Sequence, residues 1–295
     1  MARPLRSWMF VPGNRQRFLD KVYELETPPD AVFFDLEDGV IPDEKPVARG
    51  LIAEVLGRAA PGPLRCVRVN AVGSDWFSAD LEAVLVPGLE ALCVPKVESA
   101  SEILVAAGEL DRFDPDGAVR IVAAIESAAG LIRAPEIAAA HPRVLALMFG
   151  AEDYALDLGL GTKREAEASE LIYARSALVN AAAAGRAISI DGVFPDLDDA
   201  EGLLADVVQA RRLGFGAKST FNPRQIDVIN ERFSPTPDEL EYARRVAGAF
   251  AEATARGDAS VAVGGQLVDR PIVLRAQRLL ELAGEFGVET TGRGS

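Results

Sequence analysis

The stretch Ala31–Val40, AVFFDLEDGV, runs four apolar residues straight into Asp35, Glu37 and Asp38 and then into a glycine. An apolar run of that length, bounded by turn chemistry, predicts a strand buried on both faces. Acids at the end of such a strand need a cationic neighbour or water. Two carboxylates about 4 Å apart repel by roughly 4 kcal/mol at an effective dielectric near 20. The cluster is therefore either splayed into solvent or gathered around a cation.

Outward from this stretch the same beat repeats every few tens of residues. Apolar runs at Trp8–Val11, Ala31–Leu36, Cys66–Val69, Ala91–Val94, Ile121–Ile125, Val144–Phe149, Ile188–Val193 and Phe215–Phe221 predict strands. Helical patterns fill the gaps, at Leu51–Leu56, Ala100–Leu110, Pro135–Ala140, Glu165–Ala184 and Ala200–Leu213. In the fourth of these, Leu171, Ala174, Leu178 and Ala182 form one stripe and Gly185 is the expected stop. Strands alternating with helices predict a parallel α/β sheet, and eight strands are the number that closes a (β/α)8 TIM-type barrel. The expected barrel domain covers residues 1–235. A C-terminal helical extension covers 236–295, with helices over Asp238–Thr254 and through VDRPIVLRAQRLLELA and a disordered tail, TTGRGS.

Composition narrows the function. The chain has 295 residues, a formal net charge of −14 and no basic stripe, which argues against nucleic acid. No apolar run is long enough to cross a membrane. Cys66 and Cys93 lie inside strand-like runs with no zinc or disulfide spacing, as in a reduced, cytoplasmic protein. The single histidine, His141, precedes a proline in what reads as a loop, so acid–base work falls to carboxylates, lysine or metal-bound water.

Almost every predicted strand ends in something chemically capable: Pro12-Gly13-Asn14, Glu37-Asp38, Arg68 with Asn70, Pro95-Lys96, Glu126-Ser127, Gly150 through Asp153, Asp191 and Lys218-Ser219. In a barrel these ends converge on the face that carries the active site. Glu126 and Asp153 suit a hard divalent cation such as Mg²⁺, which takes one or two protein carboxylates and fills its other positions with water and substrate oxygens. The alternative is that each acid caps the following helix. Arg68, alone in a strand of valine and cysteine, is costly unless paired. If Val67 and Val69 face the helices, it points into the barrel mouth, where its planar fork suits a carboxylate. A buried ion pair with Glu37 or Asp38 is the competing reading. Lys96 reads as a partner for a neighbouring acid rather than a Schiff-base lysine. Gly159–Thr162 reads as a plain turn, lacking the strand and spacing of a phosphate loop.

Taken together, RSWMFVPGN, FFDLEDGVIPDEKPVAR, RVN, PKVES, AIESAAG, GAEDYALDLG, ARSALVNAA, IDGVFPDLDD and LGFGAKSTFNPRQI resemble the citrate lyase beta-subunit-like family, which includes malyl-CoA and citramalyl-CoA lyases. The resemblance implies a (β/α)8 barrel that cleaves a carbon–carbon bond in a 3-hydroxy dicarboxylyl thioester. It implies Mg²⁺ on Glu126 and Asp153, with Glu37 and Asp38 reaching the ion through water and Arg68 gripping the oxoacid carboxylate. Phe10, Arg15 and Lys21 match positions that contact coenzyme A. Asp269, in VDRP, matches an acid–base aspartate that reaches a neighbouring subunit's site, so a homo-oligomer (trimer or hexamer) is expected. Acyl carrier protein is the partner if the thioester is that of a true citrate lyase complex. A third possibility, of another class, is a catalytically silent acyl-CoA-binding barrel subunit. One departure stands out. Many relatives have Ile-His-Pro after the last strand, where this chain has Phe221-Asn222-Pro223.

Overall fold

Every strand of the expected barrel forms. In a computed structural model, which describes residues 4–58, 61–161 and 168–286, β1 (Ser7–Pro12), β2 (Ala31–Asp35), β3 (Leu64–Arg68), β4 (Ala91–Val94), β5 (Arg120–Ile125), β6 (Val144–Phe149), β7 (Ile188–Asp191) and β8 (Ala217–Thr220) pair in sequence order. The β8–β1 pairing closes the ring. All pairings within the barrel are parallel. The chain therefore has the (β/α)8 fold read from its apolar rhythm.

One alternate set of side chains fills the barrel axis: Trp8 and Phe10, Ala31 and Phe33, Leu64 and Cys66, Ala91 and Cys93, Val122 and Ala124, Ala146 and Met148, then Ile190 and Ala217. Aromatic residues on β1 and β2 share this core with alanines on β2, β4, β5, β6 and β8, so large and small side chains fill a packed interior. Because side-chain direction alternates along a strand, this set fixes which C-terminal residues point inward. Continuing the same parity gives Asp35, Arg68, Glu126, Ser219 and Phe221. Asp191 and Lys218 fall on the opposite parity and face the helices. Their placement among mouth-facing residues is thus corrected: the strand-end pattern locates a residue along the barrel but not on one side of its wall.

Helix boundaries depart from expectation in two informative places. The helix expected at Pro135–Ala140 runs from Ala128 to Ala138 and carries Pro135 inside it, with Ser127 Oγ accepting the Gly130 N–H at 3.1 Å as its cap. The helix expected at Glu165–Ala184 follows a short turn at Ser169–Leu171 and spans Ile172–Gly185; residues 165–167 lie outside the described ones, as does Thr162. Its left-handed stop is Arg186 (φ 58°) rather than Gly185. Gly185 is small for another reason: a Cβ there would lie 2.4 Å from the Ala138 Cβ.

Leu5–Glu231 form one compact unit, and the chain from Arg232 belongs to a second. In the second unit, helix Pro237–Ala255 starts at a Thr236 cap, with Glu239 accepting the Thr236 N–H at 2.8 Å. A hairpin unseen in the sequence, β9 (Val261–Val263) and β10 (Gln266–Val268), turns through Gly264-Gly265, both with positive φ, as a tight hairpin turn requires. It leads into helix Arg270–Glu285, and Ala243, Val246, Val268, Val273 and Ala276 form the unit's core. The TTGRGS tail lies outside the described residues.

Candidate active site at the barrel mouth

The acids of AVFFDLEDGV divide the work. Asp35, the last residue of β2, takes the fork of Arg68 on both oxygens, Nε and Nη2 each at 2.7 Å. It also accepts the Glu37 and Gly39 N–H groups at 2.9 Å each, which saturates its carboxylate. Gly39 is needed there because a Cβ would sit 2.4 Å from Asp35 Oδ2. Arg68 Nη1 lies 2.9 Å from Glu37 Oε2, and its guanidinium carbon rests 4.8 Å from the Phe10 ring. Lys96 then bridges Glu37 at 2.6 Å and Asp38 at 3.1 Å. The result is a line of alternating charge, Asp35–Arg68–Glu37–Lys96–Asp38. Burial opposes the charge on Arg68, but Asp35 and Glu37 outweigh it and hold the guanidinium protonated.

The ion pair expected for Arg68 is present with Glu37, whereas Asp38 pairs with Lys96, and the main partner of Arg68 is Asp35. Two of the five guanidinium N–H groups are thereby spent in hydrogen bonds, both on Asp35, while the contact with Glu37 is one of charge. The remaining three lie on Nη1 and Nη2, and one from each makes a pair suited to a ligand carboxylate. Lys45 braces the loop from below, donating to Leu36 O at 2.6 Å, Glu37 O at 2.9 Å and Asn70 Oδ1 at 2.8 Å. Asn70 in turn is held by Asp80 at 2.6 Å. Lys45 and Asp80 escape sequence reading because each lies on a helix whose periodicity says nothing of a distant loop.

Glu126 follows β5 and is buried. It caps no helix, since Ser127 performs that task. Its Oε2 is buried with no hydrogen-bond donor among the described residues. Burial, then Glu37 and Asp153, push its carboxyl up to about 8 against the pull of Arg68 and Lys96. Gly150 makes the room for it, because a Cβ there would lie 2.3 Å from Glu126 Cγ. Asp153 sits in the first turn of helix Ala151–Asp157, whose cap position is Gly150. Phe10, Arg68, Glu126, Asp153, Met148 and Phe221 are among the residues lining one cavity of about 80 Å³. A buried carboxyl with a bare oxygen, pushed up by a neighbouring acid, is a cation's cradle. All donors are hard oxygens, and among the described residues no three His, Cys, Asp or Glu form a closed cage. That donor set fits Mg²⁺, which keeps most of its water.

Of the other expected residues, Phe10 belongs to that cavity, and Arg15 and Lys21 are not among the residues lining it. Phe10 is buried, its ring stacked on Phe33 at 4.6 Å and covered by Arg68. Arg15 is exposed and 3.9 Å from Glu44. Lys21 ends helix Gln16–Lys21 on a surface groove shared with Gln16, Arg17, Asp20 and Glu24. Asp269 is exposed at the start of helix Arg270–Glu285, in the second unit. Asn222 caps its own turn, accepting the Arg224 N–H at 3.1 Å.

Comparison with known proteins decides the family. The model of HpcH/HpaI aldolase/citrate lyase matches residues 6–223. The chain belongs to that family. As a member of the aldolase/citrate lyase family it is a carbon–carbon lyase in type, as the motifs imply. It is 38% identical to "Citrate lyase subunit beta" of Leuconostoc mesenteroides subsp. cremoris, over 94% of this chain and 93% of that protein. It is 37% identical to a "(3S)-malyl-CoA thioesterase" of Cereibacter sphaeroides, over 96% and 95%. Among solved structures, CitE from Mycobacterium tuberculosis in complex with magnesium, acetoacetate and coenzyme A matches with a TM-score of 0.77 and 31% identity, over 96% of this chain and 98% of that one. The family thus includes a relative that holds the magnesium and coenzyme A the motifs imply. No helix of the described residues is long and apolar enough to cross a membrane.

Proposed function

We propose that this aldolase/citrate lyase family member is a Mg²⁺-dependent lyase, or thioesterase, acting on a 3-hydroxy dicarboxylyl-CoA thioester such as malyl-CoA or citramalyl-CoA. The observation that carries the reading is buried Glu126, with its undonated Oε2, sharing a cavity with Asp153 and Arg68. In the lyase direction the hydroxyl proton leaves to a base and the carbon–carbon bond breaks. Its electron pair passes to the thioester side as an enolate, which is then protonated to acetyl-CoA, and an oxoacid departs. The Nη1 and Nη2 hydrogens of Arg68 that Asp35 leaves open bind the oxoacid carboxylate. Glu126 and Asp153 would hold Mg²⁺, with Glu37 and Asp38 acting on it through water, and the ion would supply electrostatic stabilisation where charge develops on oxygen. Arg15 and Lys21 offer positive charge to coenzyme A, with Phe10 shaping the pocket beneath. Asp269 supplies the acid–base group from a homo-oligomer, a trimer or hexamer, in the cytoplasm.

A second reading rests on the 38% identity to a citrate lyase beta subunit: cleavage of a citryl thioester of acyl carrier protein to oxaloacetate. Malyl-CoA, citramalyl-CoA and citryl-carrier thioesters, assayed with and without Mg²⁺ for free oxoacid and free thiol, separate the readings. Oxoacid without thiol marks a lyase, and thiol release marks a thioesterase. Activity only on the carrier thioester favours the second reading. Absence of both products from every thioester overturns the enzymatic assignment in favour of a silent binding barrel.

A further inference from the structure

The departure after β8 places an aromatic ring on the mouth. Ala217 and Ser219 share the inward parity, and Phe221 continues it beyond the strand. Its side chain is 57% exposed, yet its ring stands 5.1 Å from Phe10 and lines the same cavity as Arg68, Glu126 and Asp153. The backbone beneath it is pinned. The Asn222 N–H donates to Thr220 Oγ1 at 2.9 Å, and Thr220 Oγ1 donates to Gln225 Oε1 at 2.6 Å. The exposed ring is thus held on a fixed stem rather than on a loose loop. The cavity is lined by charged residues, Arg68, Glu126 and Asp153 among them, and by apolar ones that include Met148, Val193 and Phe221. A ligand seated in it would cover an aromatic face that otherwise meets water, which is favourable burial.

We infer that Phe221 is a specificity-determining residue that limits the size of the apolar substituent on the hydroxyl-bearing carbon of the substrate. This rests on the thioester reading above. With the carboxylate on Arg68 and the oxygens toward the acids, that substituent is the part of the acyl group left to meet the apolar wall. A hydrogen there, as in malyl-CoA, clears the ring, and larger alkyl groups press against it.

The test compares wild type, Phe221→Ala and Phe221→Leu on malyl-CoA, on citramalyl-CoA, and on the same acyl groups carried by N-acetylcysteamine. One methyl group in an apolar pocket changes discrimination by about 10–200-fold. The expected outcome for Phe221→Ala is a rise of about tenfold or more in the citramalyl-to-malyl ratio of kcat/KM. Phe221→Leu should fall between, and the shift should be the same on both thiol carriers. An unchanged ratio overturns the inference, as does a shift confined to the coenzyme A thioesters, which would place the ring against the carrier. If wild type releases product from no thioester, the functional reading fails. The wall is then read from calorimetric affinities for glyoxylate, pyruvate and 2-oxobutyrate with Mg²⁺. Phe221→Ala must shift the order toward the longer acids, and an unshifted order overturns the wall by itself.

Discussion

Two charge clusters stand beside the C-terminal ends of this barrel's strands, built from nearly the same residue types and put to opposite uses; the second is buried throughout, whereas Lys96 and Asp38 of the first are exposed. At β2, β3 and β4, Arg68 and Lys96 meet Asp35, Glu37 and Asp38, with Glu126 and Asp153 close by. At β7 and β8, Arg175 and Lys218 meet Asp191 and Asp206. The second cluster balances: two cations, two carboxylates, and every charged partner within 3.1 Å. Burial alone would raise the Asp191 carboxyl, but Lys218 and Arg175 hold it below the usual carboxylate range. The first cluster does not balance. Two cations serve five carboxylates; Glu126 is pushed up to about 8, and Glu37 is raised by burial against the pull of Arg68 and Lys96. The closed cluster is a strut between sheet and helices, and the open one is a site that lacks positive charge. Parity makes the difference, since Asp191 and Lys218 point out of the barrel while Arg68 and Glu126 point in.

The contrast can be broken by substitution, beginning with the open cluster. Glu126→Gln should reduce Mg²⁺-dependent turnover on the order of 10³-fold or more, while circular dichroism shows an intact barrel; near-normal turnover would remove the metal assignment. Arg68→Lys should lower kcat/KM for dicarboxylyl thioesters on the order of 10²-fold, because an ammonium cannot replace the paired N–H groups. Ordinary kinetics in that variant would make Arg68 a purely structural partner of Asp35.

The closed cluster should respond in stability instead. Lys218→Met leaves two buried carboxylates sharing one arginine, so urea unfolding should show a loss of about 3–5 kcal/mol. Turnover per folded molecule should stay within a few-fold of wild type. A variant that is stable but inactive would mean that the strut is part of the site.

The smallest effect lies in the Glu126 proton. Glu126 keeps its proton in the folded state up to about 8, against an ordinary 4.5. Between those values the unfolded chain has released a proton that the folded chain retains, so stability falls as pH rises through this window. In metal-free protein, Glu126→Gln should flatten that decline and add on the order of 1–3 kcal/mol near pH 8. Thermal melts in chelator across pH 5–9 would show it, and parallel curves for the two proteins would contradict it.

The sequence made the fold legible because eight apolar runs are hard to hide, and because Arg68 in CVRVN is conspicuous against its neighbours. The cradle was legible in part. Glu126 and Asp153 drew notice as acids after buried strands, yet nothing in AIES tells that Ser127 rather than Glu126 caps the next helix. Asp191 and Lys218 were misplaced for a physical reason. In ISID the alternation itself puts Ile188 and Ile190 on one face and Asp191 on the other, but which face is inward depends on the closed ring. Lys45 was invisible, since its contacts are carbonyls on another element. Asp35, one acid of three in the opening cluster, takes four hydrogen bonds, and with them it orients Arg68.

We propose that Glu126 and Asp153 at the mouth hold one divalent cation. Titration calorimetry of Mg²⁺ into chelator-stripped wild type, Glu126→Gln and Lys218→Met tests it most directly. The expected result is one saturable site in wild type and Lys218→Met, with affinity lost in Glu126→Gln. Equal binding by wild type and Glu126→Gln, or no binding by any of the three, would contradict it.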